Sequence, residues 1–277
     1  MDAPAHDARS SKDSDALTRI IMRAQDRAGL SLEAKREMVR TRLSRRLRQL
    51  DLDLLGYAAL LDSDQHEEAV LLDLLATSHT AWWREAGHFT HFQERLLTPL
   101  VAQPAPRLRV WCAAAASGEE PYSLALCVHR ILGGRLLTDA AILATDLSHS
   151  ALAQARLGRY GAEAVLALSP ADRAVAFEPR ADPVDGAYVV APCLRALLRF
   201  AQLNLMAEWP MSGVFDAIFC RNVLFYVTPE ARARLVARLC ERLRPGGFLY
   251  IGMSESLSGI IAESRLAKVG PSVYARP

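Results

Sequence analysis

Arg109-Val-Trp-Cys-Ala-Ala-Ala-Ala-Ser-Gly-Glu-Glu-Pro-Tyr-Ser123 combines an apolar run, a turn of small side chains and the start of a helix. The run Leu108–Ala113 predicts a buried strand, and Ser117 with Glu120 three residues later predicts a capping box at a helix N-terminus. A strand that leads through a tight turn into a helix is the first half of a βαβ unit. The small side chains would let a ligand lie against the backbone. Because a single glycine is a weaker signal than GxGxxG, however, the segment alone could equally be a plain turn.

Outward from this stretch, the rest of the chain continues the alternation of short apolar runs and helical patterns. The further runs are Ala141–Ala144, Phe215–Cys220 and Phe248–Gly252. A helical pattern that begins at Pro229 precedes the last run and ends at a Pro-Gly-Gly sequence. This alternation is typical of an α/β fold, a parallel sheet with crossover helices. It predicts one α/β domain over residues 107–277.

The alternation is interrupted between Gly158 and Asn204. This segment contains its own capped helix after Ser169 and two strand-like pieces, Ala187–Val190 and Leu197–Ala201. We therefore expect an inserted β-subdomain over about residues 160–202. Before the α/β domain we expect a disordered tail over residues 1–14, a helical domain over residues 15–95 and a linker to about residue 106.

The composition limits the class of protein. Of the 277 residues, 51% are hydrophobic and 23% are charged, which describes a globular chain and excludes a disordered or collagen-like one. No apolar run is long enough to span a bilayer and the polar N-terminus has no signal-like apolar stretch, so we expect a cytoplasmic protein. The five cysteines show no CxxC or zinc-type spacing, so we expect neither a disulfide nor a metal site.

The net charge of +2 conceals two segments of opposite sign. Residues 17–50 contain ten basic and three acidic residues, whereas residues 51–79 contain seven acids and neither lysine nor arginine. In the basic segment Arg42, Arg45 and Arg48 fall on the helix side opposite the apolar positions. These arginines form either a solvated helix face or a docking surface for an acidic partner. Nucleic acid is disfavoured as that partner because no aromatic residues are interleaved with the arginines.

Polar residues follow two of the predicted strands, at the sheet edge where α/β folds bind ligands. Asp146 ends the second strand, 28 residues beyond Gly118, where a nucleoside-binding sheet places an acid for the ribose hydroxyls; a helix N-cap is the equal alternative. Asn222 ends the strand that starts at Phe215. A nucleoside without a glycine-rich phosphate site favours S-adenosylmethionine (SAM) over NAD.

Five stretches carry a family resemblance. They are Ala76-Thr-Ser-His-Thr-Ala-Trp-Trp-Arg-Glu-Ala-Gly-His-Phe89, the stretch 109–123 quoted above, Asn204-Leu205, Phe215-Asp-Ala-Ile-Phe-Cys-Arg-Asn-Val223 and Gly252-Met-Ser-Glu-Ser256. In this order they closely resemble the CheR-type chemoreceptor glutamate O-methyltransferases, over about residues 17–275. The resemblance implies a class I SAM-dependent methyltransferase domain of Rossmann-like fold, with a small antiparallel β-subdomain insert and an N-terminal all-helical domain.

The resemblance also implies roles for individual residues. The implied cofactor contacts are Ser78, Thr80, Arg84, Glu119, Asp146, Asn204, Leu205, Asn222 and Val223. Tyr226 on the substrate side and Arg84 beside the cofactor's methionine carboxylate are the implied catalytic residues. Arg42, Arg45 and Arg48 become the surface that would dock a receptor helix. Departures from the family pattern at Ser78, Leu100 and Met253 leave room for a slower or differently targeted enzyme.

The implied activity is SAM-dependent methylation of glutamate side chains on the cytoplasmic helical region of bacterial chemoreceptors, with S-adenosylhomocysteine (SAH) as product. Because glutamate is already ionised at neutral pH, its carboxylate needs no general base, and positioning supplies the catalysis. A receptor tail peptide at the β-subdomain is a further implied partner. We expect neither nucleic acid binding nor membrane insertion. A SAM-binding regulator without turnover and a methyltransferase for a small molecule remain as alternatives.

Overall fold

The N-terminal part of the chain is a helical domain with its own core. A computed structural model describes residues 3–104, 106–132, 139–179, 186–260 and 266–277. The N-terminal helices are α1 (Ala3–Ala28), α2 (Arg36–Leu50), α3 (Leu54–Ser63) and α4 (Gln65–Leu75), with a 3₁₀ turn (Glu33–Lys35) before α2. Asp53 and Asp64 cap α3 and α4 by accepting hydrogen bonds from backbone amides of the first turn. Ile21, Tyr57 and Leu71 are fully buried in the shared core.

Helix α1 begins at Ala3, where the sequence analysis predicted a disordered tail over residues 1–14. No glycine or proline occurs between Pro4 and Gly29, and proline is tolerated in the first turn of a helix. Arg36 donates to the Ser14 carbonyl (2.9 Å), which ties this part of α1 to α2. A polar composition therefore does not make the segment irregular.

The connection between the two domains belongs mostly to the second one. It consists of α5 (Gly87–Phe92), a π-helical turn (Gln93–Leu97) and α6 (Thr98–Val101). Trp82, Phe92 and Leu100 are buried in the core of the α/β domain, whereas the core of the helical domain ends at Leu75. The boundary predicted at residue 95 therefore lies too late in the chain. Leu100, one of the departures from the family pattern, is a core residue.

The α/β domain is built on a seven-stranded sheet. In chain order its strands are β1 (Leu108–Cys112), β2 (Ala140–Asp146), β5 (Leu198–Gln202), β6 (Phe215–Phe219), β7 (Leu243–Tyr250), β8 (Ala267–Gly270) and β9 (Val273–Ala275), and the spatial order is β5-β2-β1-β6-β7-β9-β8. The first five strands in space pair in parallel, and β9 and β8 add antiparallel pairs. Along β1, Val110 and Cys112 face one core and Trp111 the other. This confirms the predicted Rossmann-like α/β fold.

The helices of this domain connect the strands. They are α7 (Glu119–Leu132), α8 (His149–Leu157), α9 (Ala162–Val165), α10 (Pro170–Ala176), α11 (Pro192–Arg195) and α12 (Pro229–Arg242). No helix among the described residues is both long enough and apolar enough to span a membrane. The parallel strands place the carboxyl ends of β1, β2, β5 and β6 at one edge of the sheet.

The inserted subdomain is smaller than the sequence predicted. Within its described residues, 159–179 and 186–202, its antiparallel sheet consists of β3 (Arg159–Tyr160) and β4 (Tyr188–Val189). The strand-like piece Leu197–Ala201, which was predicted to belong to the insert, instead corresponds to β5 at the edge of the main sheet, where Leu198 pairs with Ile142. An edge strand carries the same short alternating pattern as a strand of a small sheet, so the sequence could not distinguish them.

Candidate active site

A cleft lies at the carboxyl edge of the sheet, between the two domains. Its far wall is formed by the helical domain, including residues of the α1–α2 connection and the segment after α4. Eight of the residues predicted from the sequence line it: Thr80, Arg84, Asp146, Asn204, Leu205, Asn222, Val223 and Tyr226. The structure therefore brings together residues that are distant in the sequence and come from both domains.

The turn after β1 forms one wall of the cleft. Ala113, Ala114 and Ala116 line it. Gly118 has a left-handed backbone (φ 105°), and a Cβ atom there would lie 2.7 Å from the Tyr160 hydroxyl. That hydroxyl donates to the Ser117 carbonyl (2.8 Å). The glycine thus permits close packing against the inserted subdomain, and the alanines provide the surface open to a ligand.

Asp146 lies at the end of β2 and is only 8% exposed. Its carboxylate accepts hydrogen bonds from the Ala116 amide (2.8 Å) and the Ser148 amide (2.9 Å). The N-cap of α8 is Ser148, whose side chain accepts from Ala151, so Asp146 does not serve as that cap. Burial raises the pKa of Asp146, and the two amide hydrogen bonds oppose this by favouring the carboxylate. The remaining lone pairs can accept hydrogen bonds from hydroxyl groups.

Of the two adjacent glutamates at the start of α7, the second lines the cleft. Glu120 contributes to its wall, whereas Glu119 accepts a hydrogen bond from the Ser117 hydroxyl (2.7 Å) and lies outside the lining. Successive residues on a helix point about 100° apart, so only one of the pair faces the cleft. Contact of Glu119 with the cofactor therefore stays a prediction, and Glu120 is the glutamate of the pair that lines the cleft. The predicted capping box between Ser117 and Glu120 is replaced by the Ser117–Glu119 hydrogen bond.

Ser78 is exposed and does not line the cleft, although it was predicted to contact the cofactor. Its neighbours Thr77, His79 and Thr80 do line it. The segment between α4 and Trp82 has no regular secondary structure, so no periodicity in the sequence indicates which of its side chains face inward.

Arg84 lies in a strained turn between two residues with left-handed backbone conformations. The φ angles of Trp83 and Glu85 are 54° and 58°, values that residues other than glycine rarely adopt. The Arg84 guanidinium donates to the His79 carbonyl (2.7 Å) and lines the cleft. The Trp83 amide donates to the Ser123 hydroxyl (3.3 Å). The turn therefore fixes where the guanidinium of Arg84 enters the cleft.

The buried side chain of Arg221 holds this turn in place. It donates to the Arg84 carbonyl, to Glu85 (3.0 Å) and to Glu120 (2.6 Å), and its side chain is completely buried. Burial is the largest single influence on Glu85 and opposes its ionisation, but the hydrogen bond and charge of Arg221, together with hydrogen bonds from Met253 and Asn222, lower the pKa of that carboxyl. Burial raises the pKa of Glu120, with Arg221 acting in the opposite direction. Two carboxylates thus neutralise Arg221 inside the protein.

Sequence reasoning missed Arg221, Glu85 and Glu120 as parts of the site. A signal was present, because Arg221 precedes Asn222 in the strand-end stretch and Glu85 follows Arg84. Nothing in a single sequence shows that these two stretches pair with each other.

The loop after β6 is held by another buried carboxylate, that of Glu255. It accepts hydrogen bonds from the backbone amides of Gly252 (2.6 Å), Asn222 (3.0 Å) and Leu224 (2.6 Å). Asn222 has a left-handed backbone (φ 57°), and a Cβ atom on Gly252 would lie 2.5 Å from the side-chain Nδ2 of Asn222. The side chain of Met253 is exposed and its amide donates to Glu85 (3.1 Å), so this departure changes a surface side chain. Within the stretch Gly252–Ser256, which was quoted for the family resemblance, Glu255 therefore holds the loop after β6 in place.

Two of the predicted residues also connect the domains. Asn204 donates to the Arg27 carbonyl at the end of α1 (2.6 Å). The carbonyl of Tyr226 accepts from the Ser31 amide (2.7 Å), and its ring lies under the Lys35 ammonium, 4.7 Å from the ring centroid. The loops after β5 and β6 are thus bonded to the helical domain beside the cleft.

The predicted arginine stripe on α2 is divided by the structure. Arg42 donates to the carbonyls of Leu75 and Ala76 (both 2.8 Å) and more weakly to that of Leu74, so it caps the C-terminus of α4. Arg45 and Arg48 are exposed. Arg42 is therefore not part of a free docking face, because the last carbonyls of a helix lack partners within it and Arg42 lies on the side of α2 toward α4.

The cleft fits SAM. An acid at the end of β2 suits ribose hydroxyls, the alanine turn leaves room for a nucleoside, and the Arg84 guanidinium suits a carboxylate. When bound, SAM supplies a methyl group on a positively charged sulfur.

Comparison with known proteins gives a consistent result. A family model described as "CheR methyltransferase, SAM binding domain" matches residues 78–271. A chemotaxis protein methyltransferase of Klebsiella aerogenes is 40% identical over 262 residues, covering 92% of this chain and 87% of its own. The chemotaxis protein methyltransferase of Escherichia coli (strain K12) is 39% identical over 269 residues, covering 93% and 89%. A probable chemotaxis protein methyltransferase of Rhizobium etli is 38% identical over 238 residues, covering 84% and 89%.

Proposed function

This chain belongs to the CheR methyltransferase family, and on that premise we propose that it transfers the methyl group of SAM to glutamate side chains of bacterial chemoreceptors. As a member of this family it is a SAM-dependent methyltransferase of chemotaxis. The acceptor residue and the receptor are the proposed parts. The observation that carries the proposal is the assembly of Arg84, Asp146, Asn222 and Tyr226 around one cleft.

Within this proposal, the ends of the cleft have different tasks. Asp146 accepts hydrogen bonds from the ribose of the cofactor, and Arg84 pairs with its methionine carboxylate. The strained turn around Arg84 and the buried Arg221 fix the guanidinium, which in turn fixes the direction of the sulfonium. Orientation of this kind can account for much of the rate of a displacement reaction.

The acceptor glutamate is proposed to bind at the side of the cleft that Tyr226 lines. Its hydroxyl is proposed to orient the incoming carboxylate. A glutamate that is ionised at neutral pH needs no base to remove a proton, so the chain has only to position it and to exclude water. A carboxylate acceptor is therefore consistent with a site that contributes a tyrosine and cations at its mouth.

The exposed arginines of α2 are proposed to dock the receptor. Arg45 and Arg48 present positive charge in the helical domain that forms one wall of the cleft, and receptor methylation helices are rich in glutamate. Arg42 contributes indirectly by fixing the end of α4. A tail peptide at the β-subdomain remains a prediction.

The proposal is tested by incubating the purified protein with SAM labelled in its methyl group and with membranes that contain chemoreceptors. We expect label on the receptor that is released by mild base, as for a methyl ester, and labelling at least about ten-fold slower with the Arg84→Ala variant. Binding of SAM without any transfer would support the regulator alternative. Label in a small molecule instead of the receptor would support the other alternative.

A further inference from the structure

Lys35 lies at the mouth of the cleft and has no acidic partner in the described part of the chain. It ends the 3₁₀ turn before α2, and its half-buried side chain lines the cleft. The ammonium lies 4.7 Å from the centroid of the Tyr226 ring, a cation–π contact that holds it beside that tyrosine. Lys35 also borders a shallow surface groove at the start of α2. The ammonium therefore lies in the wall of the cleft beside Tyr226, on the proposed acceptor side, and next to the protein surface.

The charges lining the cleft leave Lys35 available for an anion. Arg221 is neutralised by Glu85 and Glu120. Arg84 donates to a neutral carbonyl and keeps donors free for the carboxylate of the cofactor. A reaction between SAM and glutamate brings two carboxylates into the cleft, and Lys35 is the cation that lies beside the proposed acceptor side.

We propose that Lys35 binds the acceptor carboxylate and makes the enzyme select glutamate over glutamine. This inference rests on the proposed function and names a specificity-determining residue for it. An ammonium has three donors and no acceptor, so it pairs with a carboxylate but gains no ion pair from an amide. An amide that turned its NH₂ group toward Lys35 would place donor against donor. The Tyr226 ring keeps the ammonium in position before the acceptor arrives.

The test is a binding measurement that does not depend on turnover. The SAH-loaded protein is titrated with the purified cytoplasmic domain of a bacterial chemoreceptor in two forms, with Glu or with Gln at its methylation sites. We expect wild type to prefer the Glu form by about ten-fold, the size of one charge-assisted contact. Lys35→Gln should reduce that preference to near one, and Lys35→Arg should retain most of it. Arg40→Gln is the matched control, because Arg40 is exposed and does not line the cleft.

Two further readouts separate specificity from structure. The dissociation constant for SAH should be the same in wild type and Lys35→Gln, and the variant should raise KM for the Glu form more than it lowers kcat. An equal Glu preference in wild type and Lys35→Gln, including no preference in either, would overturn the inference. Failure of wild type to methylate the Glu form despite preferring it would instead overturn the proposed function.

Discussion

At the scale of single residues, the proposed binding of cofactor and acceptor depends on Asp146 and on the cations of the cleft. Asp146 combines burial with two amide hydrogen bonds, so its carboxylate is oriented before a ligand arrives. Arg84 owes its position to a strained turn and to a buried arginine. These residues are preorganised by contacts with the protein itself, which makes their contributions separable by substitution.

Replacing Asp146 with Asn should weaken binding of SAM and SAH by about 1–3 kcal/mol, because a neutral amide is a poorer partner for the ribose hydroxyls. Isothermal titration calorimetry measures the loss. Asp139→Asn is the matched control. Asp139 lies directly before the first residue of β2, whereas Asp146 is its last residue, and the Asp139 carboxylate pairs with Arg109. Unchanged affinity in a folded Asp146→Asn variant would remove this residue from the cofactor site.

Variants of Arg84 and Tyr226 should fail in different ways. Arg84→Ala removes the partner of the methionine carboxylate, so both cofactor affinity and the rate of transfer should fall by at least about ten-fold. Tyr226→Phe removes one hydroxyl and little volume, so affinity should remain while turnover falls. Calorimetry and single-turnover kinetics distinguish the two patterns. A Tyr226→Phe protein with wild-type turnover would contradict an orienting role for the hydroxyl.

Some residues of the site could be predicted from the sequence and others could not. Of the eight predicted residues that line the cleft, six lie in the stretches quoted for the family resemblance, and Asp146 and Tyr226 lie outside them. Of the adjacent pair Glu119 and Glu120 only Glu120 lines the cleft, and the orientation of the start of α7, which the sequence does not show, decides this. Arg221 was missed because its partners, Glu85 and Glu120, are more than a hundred residues away in the chain.

At the scale of elements, α2 has two functions that its sequence does not separate. Arg42→Ala should lower the free energy of unfolding by about 1–3 kcal/mol, because it leaves the last carbonyls of α4 without their partner. The Arg45→Ala/Arg48→Ala double variant should leave stability within about 0.5 kcal/mol, since both side chains are exposed. Chemical denaturation measures both values.

The same double variant should raise KM for the receptor and leave SAM affinity unchanged. The loss should shrink as salt increases, because exposed charges are screened over about 8 Å at physiological ionic strength. A steady-state titration of receptor at low and high salt tests this. Equal KM of the double variant and wild type at low salt would reduce Arg45 and Arg48 to a solvated face.

A buried ion pair joins α2 to α4. Arg46 pairs with Glu67, which is 2% exposed and also accepts from the Tyr57 hydroxyl (2.8 Å). Burial opposes ionisation of Glu67, but hydrogen bonds from Arg46 and Tyr57 outweigh it and lower the pKa of its carboxyl. This stabilisation is therefore present above the ordinary glutamate pKa of about 4.3 and is lost as the pH falls through the lowered value.

Glu67→Gln should reduce the free energy of unfolding at neutral pH by about 1–3 kcal/mol and flatten its decline in acid. The measurement is denaturant unfolding as a function of pH. Glu37→Gln, an exposed glutamate on α2, is the control and should behave like wild type. An unchanged acid profile in Glu67→Gln would show that other carboxylates dominate the loss.

Elements with a local signal were predicted well, and elements defined by distant pairing were not. The runs that became β1, β2 and β6 were found within a few residues because apolar periodicity is a local property. β5 was assigned to the wrong sheet because the residues of its partner, β2, lie 56 positions earlier in the chain, as in the pair Ile142 and Leu198. The β8–β9 hairpin was missed altogether.

At the scale of the whole molecule, the cleft exists only where the two domains meet. The loop after β2 is bonded to the helical domain through the Ser148 hydroxyl and Asp73 (2.5 Å), and the loop after β5 through Asn204 and the Arg27 carbonyl (2.6 Å). The amide of Thr228 donates to the Gly29 carbonyl (3.0 Å). A ligand that contacts these loops should therefore stabilise the junction.

SAH should slow hydrogen exchange of the Ser31 and Thr228 amides, whose hydrogen bonds cross the junction. The Gly246 amide lies within β7 and donates to the Arg276 carbonyl (2.7 Å). It is the internal control, and its exchange rate should not change with SAH. Exchange followed by mass spectrometry with and without SAH gives the comparison. If SAH changed the exchange rates of the Ser31 and Thr228 amides no more than that of the Gly246 amide, the junction would be independent of the ligand.

The central claim, methylation of receptor glutamates with SAM as donor, is tested most directly by locating the transferred methyl group. Wild-type protein is allowed to turn over with SAM and a purified chemoreceptor cytoplasmic domain, and the product is sequenced by tandem mass spectrometry. We expect methyl esters on glutamate side chains of the receptor helices, formed at least about ten-fold more slowly with Arg84→Ala. Methyl groups on other residue types, or a receptor that stays unmodified while SAM is bound, would contradict the claim.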